Sequence, residues 1–169
     1  MTGNLFNVLF VCAGNSARSI MAEAILNHVS SGRLRASSAG FAGTGQIHPL
    51  AVEQLKRSRL DVSGLRSKNW SVFAEPGADP LDLVITFDPI AEQPVPVWPG
   101  QPLVVFWRID DPALVAGDGE EAKRAFALCF QLLNRRISLF ASLPLERLDR
   151  VELKHRLEEI GSRSSSAES

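Results

Sequence analysis

A cysteine and an arginine with five residues between them stand near the start of the chain, and this pairing suits chemistry on an oxyanion. A thiolate is a strong nucleophile, and the planar guanidinium fork holds two oxygens of a tetrahedral anion at once. The segment consists of Cys12, Ala13, Gly14, Asn15, Ser16, Ala17, Arg18 and Ser19. We expect residues 13–19 to bind phosphate or arsenate and Cys12 to attack the bound anion.

Short loops between a strand and a helix bind anions because successive backbone N–H groups point at one ligand near the positive end of the helix. Gly14 and Asn15 fit such a loop, since Gly and Asn most readily accept the positive φ that converging amides usually need. The helix terminus and Arg18 favour the thiolate form of Cys12, and Ser19 can donate a further hydrogen bond to the sulfur. The sequence therefore predicts an oxyanion cradle with its own nucleophile.

Alternating apolar runs and amphipathic segments predict the elements that position this loop. Predicted strands cover residues 7–11, 33–39, 81–87 and 102–107. Predicted helices cover residues 19–29, 49–60, 120–143 and 145–160. This alternation indicates one α/β domain of three layers, with a four-stranded parallel sheet flanked by helices. Ligands bind beyond the carboxyl ends of the strands in such sheets, and Cys12 follows the first strand.

Length and charge limit the classes of function. With 169 residues and 45% hydrophobic content, the chain fits one domain, residues 1–161, followed by a polar tail, residues 162–169, that we predict to be disordered. The 18 basic and 19 acidic residues nearly balance, so we expect neither nucleic acid nor a membrane surface as a partner. The N-terminal apolar stretch is too short for a membrane helix and lacks the basic flank of a signal peptide, so we expect a cytoplasmic protein. The two cysteines offer no zinc-ligand spacing, and we expect no bound metal and no bound cofactor.

The loop and several other segments resemble a known family. The segment VLFVCAGNSARSIMAEAIL is similar to the active-site segment of the low-molecular-weight protein tyrosine phosphatase superfamily, and within it the thioredoxin-coupled arsenate reductase branch. Further similar segments are SAGFAGTGQIHPLAVEQL, LDVSGLRSKNW, PVWPG, DDPALV and RRISLFASLPLERLD. The resemblance extends to about Asp149 and implies that family's α/β fold, with Cys12 as nucleophile and Arg18 as oxyanion clamp. It also implies that the aspartate of an Asp-Pro loop acts as general acid; that aspartate is Asp111, with neighbouring Asp110 as the alternative.

The resemblance breaks at the thiols on which the thioredoxin-coupled branch depends. Reduction of arsenate needs a second thiolate, which attacks the sulfur of Cys12 in the covalent arsenic adduct and releases arsenite. The branch carries two relay cysteines at positions that align with Phe87 and Val95 of this chain. Cys129 lies in an apolar helical stripe and is expected in the core. An internal relay is therefore not expected, and an external thiol is required for reduction.

Three functions remain open. The first, which the resemblance favours, is an arsenate reductase whose second thiol comes from glutathione or a glutaredoxin-like partner. The second is a phosphatase that hydrolyses phosphomonoesters, such as protein phosphotyrosine, through a Cys12 phosphoenzyme with Asp111 as acid and then base. Against it, the chain has no tyrosine, and Ala113 stands where tyrosine phosphatases often carry one. The third is a non-catalytic oxyanion binder or a thiol redox sensor.

Overall fold

Four parallel strands form the centre of the molecule. The computed structural model describes residues 5–43 and 45–166. The strands are β1 (Phe6–Cys12), β2 (Leu34–Gly40), β3 (Leu83–Thr86) and β4 (Leu103–Phe106). They lie in the order β2-β1-β3-β4, and each neighbouring pair is parallel. The carboxyl ends of the strands therefore meet at one edge of the sheet, with Cys12 at the end of an inner strand.

Four long helices accompany the sheet. They are α1 (Arg18–Val29), α2 (Pro49–Arg57), α3 (Glu120–Ala141) and α4 (Arg150–Ser166). Short 3-10 helices lie at Trp70–Ala74, Pro112–Leu114 and Leu145–Arg147. The predicted α/β class with a four-stranded parallel sheet is confirmed. No helix in the described part of the chain is long and apolar enough to span a bilayer.

Each face of the sheet carries its own core, because successive residues of a strand point to opposite faces. Phe10 faces the larger core, to which all four long helices contribute. Val11 faces the smaller core, where Trp70 and Trp98 pack against the sheet. The indole N–H of Trp98 donates to the carbonyl oxygen of Trp70 over 3.2 Å. The layer on this second face is therefore a 3-10 helix and loops filled by two tryptophans.

Helix α2 ends earlier than the sequence pattern predicts. The prediction extended it to Leu60, whereas the last helical residue is Arg57. Arg59 has a φ of 65°, and the N–H of Leu60 donates to the carbonyl of Leu55 over 2.9 Å. A residue in this left-handed conformation ends a helix and closes its last carbonyls, usually with glycine in that place. Strand ends, in contrast, differ from their predicted positions by one or two residues.

Helix α4 begins later and ends later than predicted. Asp149 and Glu152 form a reciprocal cap: the N–H of Glu152 donates to Asp149 Oδ1 over 2.8 Å, and the N–H of Asp149 donates to Glu152 Oε1 over 3.1 Å. This pair starts the helix at Arg150, whereas the prediction began it at residue 145. The helix continues to Ser166, so residues 162–166 are helical where a disordered tail was predicted. Residues 167–169 lie outside the described residues, and the division into a domain and a tail stays a prediction.

Candidate active site

The cradle is a tight turn at the edge where the strands end. Strand β1 ends at Cys12 and α1 begins at Arg18, so residues 13–17 join a buried strand to a helix N-terminus. Asn15 has a φ of 48°, the left-handed conformation that such a loop needs. Gly14 does not adopt a positive φ, so the positive φ expected in the loop falls on Asn15. Asn15 alone supplies the left-handed residue between β1 and α1.

Gly40 lets this loop lie directly against the end of β2. A Cβ built at Gly40 would lie 2.7 Å from the carbonyl oxygen of Ala13 and 2.9 Å from the backbone nitrogen of Asn15. Both atoms belong to the backbone of the cradle, so they cannot move without a shift of the loop itself. A side chain at this position would therefore displace the loop.

Ser19 contacts the nucleophile directly. Its Oγ lies 3.0 Å from the Sγ of Cys12, and both residues are buried. The side-chain amide of Asn15 donates to the same Oγ over 2.8 Å. The hydroxyl of Ser19 has one hydrogen and two acceptor positions, so it can accept from Asn15 and still donate its hydrogen to a Cys12 thiolate. The short contact fits the expected hydrogen bond from Ser19 to Cys12, and donation by Ser19 stays a prediction.

Asn15 is itself held by residues from two other segments. Its amide nitrogen donates to Ser38 Oγ over 3.1 Å, and its amide oxygen accepts from the backbone N–H of Lys68 over 2.8 Å. The hydroxyl of Ser38 donates to Glu23 Oε1 over 2.6 Å. This network fixes the side chain that orients Ser19. Sequence reasoning did not single out Ser38 or Glu23, because Ser38 lies 23 positions from Asn15 and Glu23 acts on Asn15 only through Ser38.

The far end of this network contains two charged groups in an unusual environment. Burial is the largest influence on Glu23, and it raises the pKa of this carboxyl above its ordinary value despite the hydrogen bond from Ser38 and the nearby charge of Lys68. Burial likewise lowers the pKa of the Lys68 ammonium. Burial therefore destabilises the ionised form of Glu23, and Ser38 and Lys68 offset only part of that free energy.

Arg18 is buried with a side chain only 4% exposed. Its NH1 donates to the carbonyl oxygens of Phe87 over 3.2 Å and Ile109 over 2.9 Å. NH1 and NH2 also donate to the two oxygens of Asp88, over 2.9 and 2.7 Å. Its Nε is buried and has no hydrogen-bond partner among the described residues. The terminal nitrogens of the guanidinium are thus fixed by hydrogen bonds, whereas the buried Nε can still donate to another acceptor.

Asp88 takes part in the cradle although sequence reasoning assigned it no role. Besides its two bonds from Arg18, its Oδ2 accepts from the backbone N–H of Ala13 over 2.8 Å. Burial acts to raise the pKa of Asp88, but the bonds from Arg18 and Ala13 outweigh it and hold this pKa below its usual range. The same pairing, with the charges of Cys12 and Asp111, raises the pKa of Arg18 against the opposing effect of its burial. Asp88 follows β3, which lies next to β1, so its place at the sheet edge was a usable signal.

The predicted general acid lies within reach of the same guanidinium. Asp111 Oδ2 is 3.6 Å from Arg18 NH2, and Asp111 Oδ1 accepts from the N–H of Ala113 over 2.9 Å at the start of a 3-10 helix. Asp110 is exposed, whereas the Asp111 side chain is 27% exposed and faces the cradle. The geometry therefore favours Asp111 over Asp110 as the acid, and the role itself stays a prediction.

The remaining cysteine is a core residue, as expected. Cys129 is 7% exposed, and burial raises the pKa of its thiol to about 12. It forms part of the wall of a cavity of about 340 Å³ that Asp111 also lines. Phe87 is buried and stacks on Phe10 with ring centroids 5.8 Å apart, while Val95 is 39% exposed. Neither relay position carries a thiol, and the thiol that is present is held in its neutral form.

These features define a thiol-dependent oxyanion enzyme. They are a buried thiol, a guanidinium fork, a turn of backbone amides and a carboxylate, all at the carboxyl edge of a parallel sheet. Residues 7–101, more than half of the chain, match the family described as Low molecular weight phosphotyrosine protein phosphatase, and the chain belongs to that family. The resemblance stated from the sequence is confirmed.

Individual relatives include reductases and phosphatases. The chain is 31% identical over 134 residues to an arsenate reductase of Halalkalibacterium halodurans, covering 79% of this chain and 94% of that protein. It is 31% identical over 105 residues to a glutaredoxin arsenate reductase of Synechocystis sp., covering 62% and 77%. The structure of an arsenate reductase in the phosphate binding state has a TM-score of 0.66 at 25% identity, covering 82% of this chain and 98% of that one. The tyrosine phosphatase Wzb from Escherichia coli K30, solved with sulphate, shares the fold with a TM-score of 0.62 at 19% identity, covering 82% and 97%.

Proposed function

We propose that the protein is an arsenate reductase that resolves its Cys12 adduct with an external thiol of the glutathione or glutaredoxin type. The observation that carries this proposal is the cradle itself, in which the sulfur of Cys12 lies 3.0 Å from Ser19 Oγ beside a fixed Arg18. Relatives named as arsenate reductases support the oxyanion assigned to it. One relative bears the name glutaredoxin arsenate reductase, which supports the class of thiol donor.

The first chemical step joins sulfur to arsenic. The Cys12 thiolate attacks As(V) while Arg18 and the backbone amides of the loop hold the remaining oxygens. An As–O bond breaks opposite the sulfur, and Asp111 gives its proton to the departing oxygen, which leaves as water. The arsenic keeps its oxidation state in this step, because substitution alone moves no electrons between sulfur and arsenic.

The second step carries the electrons. An external thiolate attacks the Sγ of Cys12, a sulfur–sulfur bond forms, and the electron pair of the S–As bond leaves with arsenic as arsenite. A second external thiol then attacks the mixed disulfide and returns Cys12 to its reduced form. Two thiols are oxidised to one disulfide for each arsenate reduced, so the two electrons balance.

The second thiol is assigned to an outside molecule because the chain has none in a suitable state. The thiolate is the attacking species in thiol exchange. With its pKa raised to about 12, Cys129 carries almost no thiolate at neutral pH. Phe87 belongs to the larger core, so the position of the first relay cysteine is filled by an aromatic ring.

A phosphatase is the second candidate, and Asp111 is the observation that favours it. A carboxyl group near Arg18 can protonate the leaving alcohol and then activate the water that releases phosphate from Cys12. This cycle needs no second thiol. The retained position of Asp111 also speaks against the third possibility, a non-catalytic binder or redox sensor.

One side-by-side assay separates these functions. Purified wild type, Cys12→Ser and Cys129→Ser are tested for arsenate reduction with glutathione plus glutaredoxin, for arsenate reduction with thioredoxin, and for aryl phosphate hydrolysis. The proposal predicts reduction with glutathione and glutaredoxin that Cys12→Ser abolishes and Cys129→Ser retains. Turnover with thioredoxin alone that disappears in Cys129→Ser would contradict it. Cys12-dependent hydrolysis without arsenate reduction would support the phosphatase instead.

Location and partners follow from the same proposal. We place the protein in the cytoplasm, where reduced thiols persist and thiol donors are abundant. Both cysteines are free and buried, which suits such a compartment. No three His, Cys, Asp or Glu side chains group as metal ligands within residues 5–43 and 45–166. The proposed partners are therefore an oxyanion and a thiol donor, and fractionation of cells that express the protein tests the location.

A further inference from the structure

The cradle holds more negative charge than one guanidinium balances. Cys12, Asp88 and Asp111 all act electrostatically on Arg18. Arg108 and Asp110 also line the cavity of about 210 Å³ beside Asp88 and Asp111. Asp88 already accepts from the terminal nitrogens of Arg18 and from the N–H of Ala13, so a fully ionised tetrahedral anion must bind beside a carboxylate of like charge. An anion that carries a hydrogen can instead present that hydrogen to the carboxylate.

Asp88 has the capacity to accept that hydrogen. An ionised carboxylate offers about four acceptor positions and no donor. Three are filled by Ala13 N–H and the two terminal nitrogens of Arg18. The fourth lies on Oδ1, which receives one bond, and the side chain is 26% exposed. The low pKa of Asp88 keeps it in this acceptor form at neutral pH.

A donor for the anion lies beside this acceptor on the same pair of residues. Arg18 Nε is buried without a partner in the part of the chain that the structure describes. Its terminal nitrogens are held by Asp88, so Nε and the loop amides are left to bind anion oxygens. An oxyanion that carries a hydrogen matches both residues, because its oxygens can accept from Arg18 Nε and its hydroxyl group can donate to Asp88.

We propose that Asp88 is a specificity-determining residue that accepts a hydrogen bond from the hydroxyl of the bound oxyanion, so that the site selects free oxyacids that keep a proton over anions that have none. Arsenate and inorganic phosphate retain one hydroxyl above neutral pH, whereas sulfate has none. A phosphomonoester loses its last hydroxyl near about pH 6. The inference rests on the proposed function and deepens it, because it disfavours ionised phosphoesters in the same cradle.

Calorimetric titration of the reduced protein with inorganic phosphate, sulfate and phenyl phosphate tests this selection. At about pH 8, wild type is expected to bind phosphate at least about tenfold more tightly than sulfate or phenyl phosphate, the effect of one hydrogen bond to a charged group. Asp88→Asn is expected to lose most of that ratio, chiefly by binding sulfate more tightly. Asp79→Asn is the matched control, since it removes an equally charged, exposed carboxylate paired with Arg35.

Each other result overturns the inference. Equal affinity of wild type for phosphate and sulfate contradicts it even if Asp88→Asn fails to fold. An unchanged ratio in a folded Asp88→Asn protein also contradicts it. Equal weakening of all three anions in that variant shows that Asp88 only positions Arg18. Failure of the proposed function appears differently, as anion binding without Cys12-dependent arsenate turnover.

Discussion

The hydroxyl of Ser19 lies 3.0 Å from the sulfur of Cys12 and accepts a hydrogen bond from Asn15, which leaves its own hydrogen available to a Cys12 thiolate. A donor in this position stabilises a thiolate more than a neutral thiol. The bond is absent from the unfolded chain and depends on the left-handed turn at Asn15. It links the shape of the loop to the reactivity of the cysteine.

Ser19→Ala removes this donor without removing the cradle. We expect the turnover number for arsenate to fall roughly tenfold, or about 1.4 kcal/mol, because one hydrogen bond to a charged group is lost. The Michaelis constant should change less, since the anion is held by other groups. Steady-state kinetics check this, with Ser71→Ala as an exposed control on the 3-10 helix Trp70–Ala74. A larger effect on the Michaelis constant than on turnover would contradict the role.

Asp111→Asn and Asp110→Asn form a matched pair that tests the acid. The first removes the carboxyl that lies 3.6 Å from Arg18, and the second removes its exposed neighbour. Loss of a positioned acid costs roughly 10²–10⁴-fold in rate. We expect a fall of that size in Asp111→Asn and a change of less than about threefold in Asp110→Asn. The reverse order in a single-turnover assay would assign the acid to Asp110.

Gly40→Ala tests whether the cradle needs close contact with β2. The added methyl would lie 2.7 Å from the Ala13 carbonyl oxygen, so the loop must shift. We expect anion binding to weaken by more than tenfold and the protein to lose about 1–3 kcal/mol of stability, as in other overpacked sites. Gly64→Ala is the control, because nothing lies within 4 Å of its added methyl. Unchanged phosphate affinity in Gly40→Ala by calorimetry would show that the loop tolerates the shift.

Glu23 gives the stability of the fold a specific dependence on pH. Because burial raises the folded pKa of Glu23 above its ordinary value, the folded state binds more protons than the unfolded state between the two pKa values. The contribution of Glu23 to stability is therefore lost as pH rises from about 4 through the folded pKa. Glu23→Gln removes this loss.

Urea unfolding at about pH 4 and about pH 8 measures the effect. We expect the difference in free energy of unfolding, Glu23→Gln minus wild type, to be larger at the higher pH, which means that the variant gains relative stability there. Glu53→Gln, which alters an exposed ion pair with Arg57, should show no such trend. A relative loss of stability of Glu23→Gln at high pH would mean that its carboxylate is stabilised in the folded state.

The nucleophile and its clamp were predictable because their signal is local. Cys12 and Arg18 share one loop of eight residues, Cys12 to Ser19, and the predicted strand and helix adjoin this loop directly in the sequence. Asp88 is separated from Arg18 by 70 positions, and Ser38 from Asn15 by 23, so no short pattern joins them. The parallel order of β1 and β3 brings Asp88 to the loop, and this order depends on the whole sheet.

Helix boundaries also differ in how clearly the local sequence signals them. The start of α4 was readable, since Asp149 and Glu152 have the spacing of a reciprocal cap, although the apolar pattern placed it earlier. The end of α2 was not readable, because Arg59 takes a left-handed conformation that sequence rarely assigns to arginine.

The state of Cys12 after one reduction tests the central claim most directly. Wild type is incubated with arsenate and a limiting amount of glutathione, without glutaredoxin, so that little thiol remains to reduce the mixed disulfide. The protein is then quenched by acid and digested, and its cysteine peptides are measured by mass spectrometry. The account predicts glutathione on the Cys12 peptide only when arsenate is present, with Cys129 still reduced. A disulfide between Cys12 and Cys129, or no modification of Cys12 while arsenite accumulates, would contradict it.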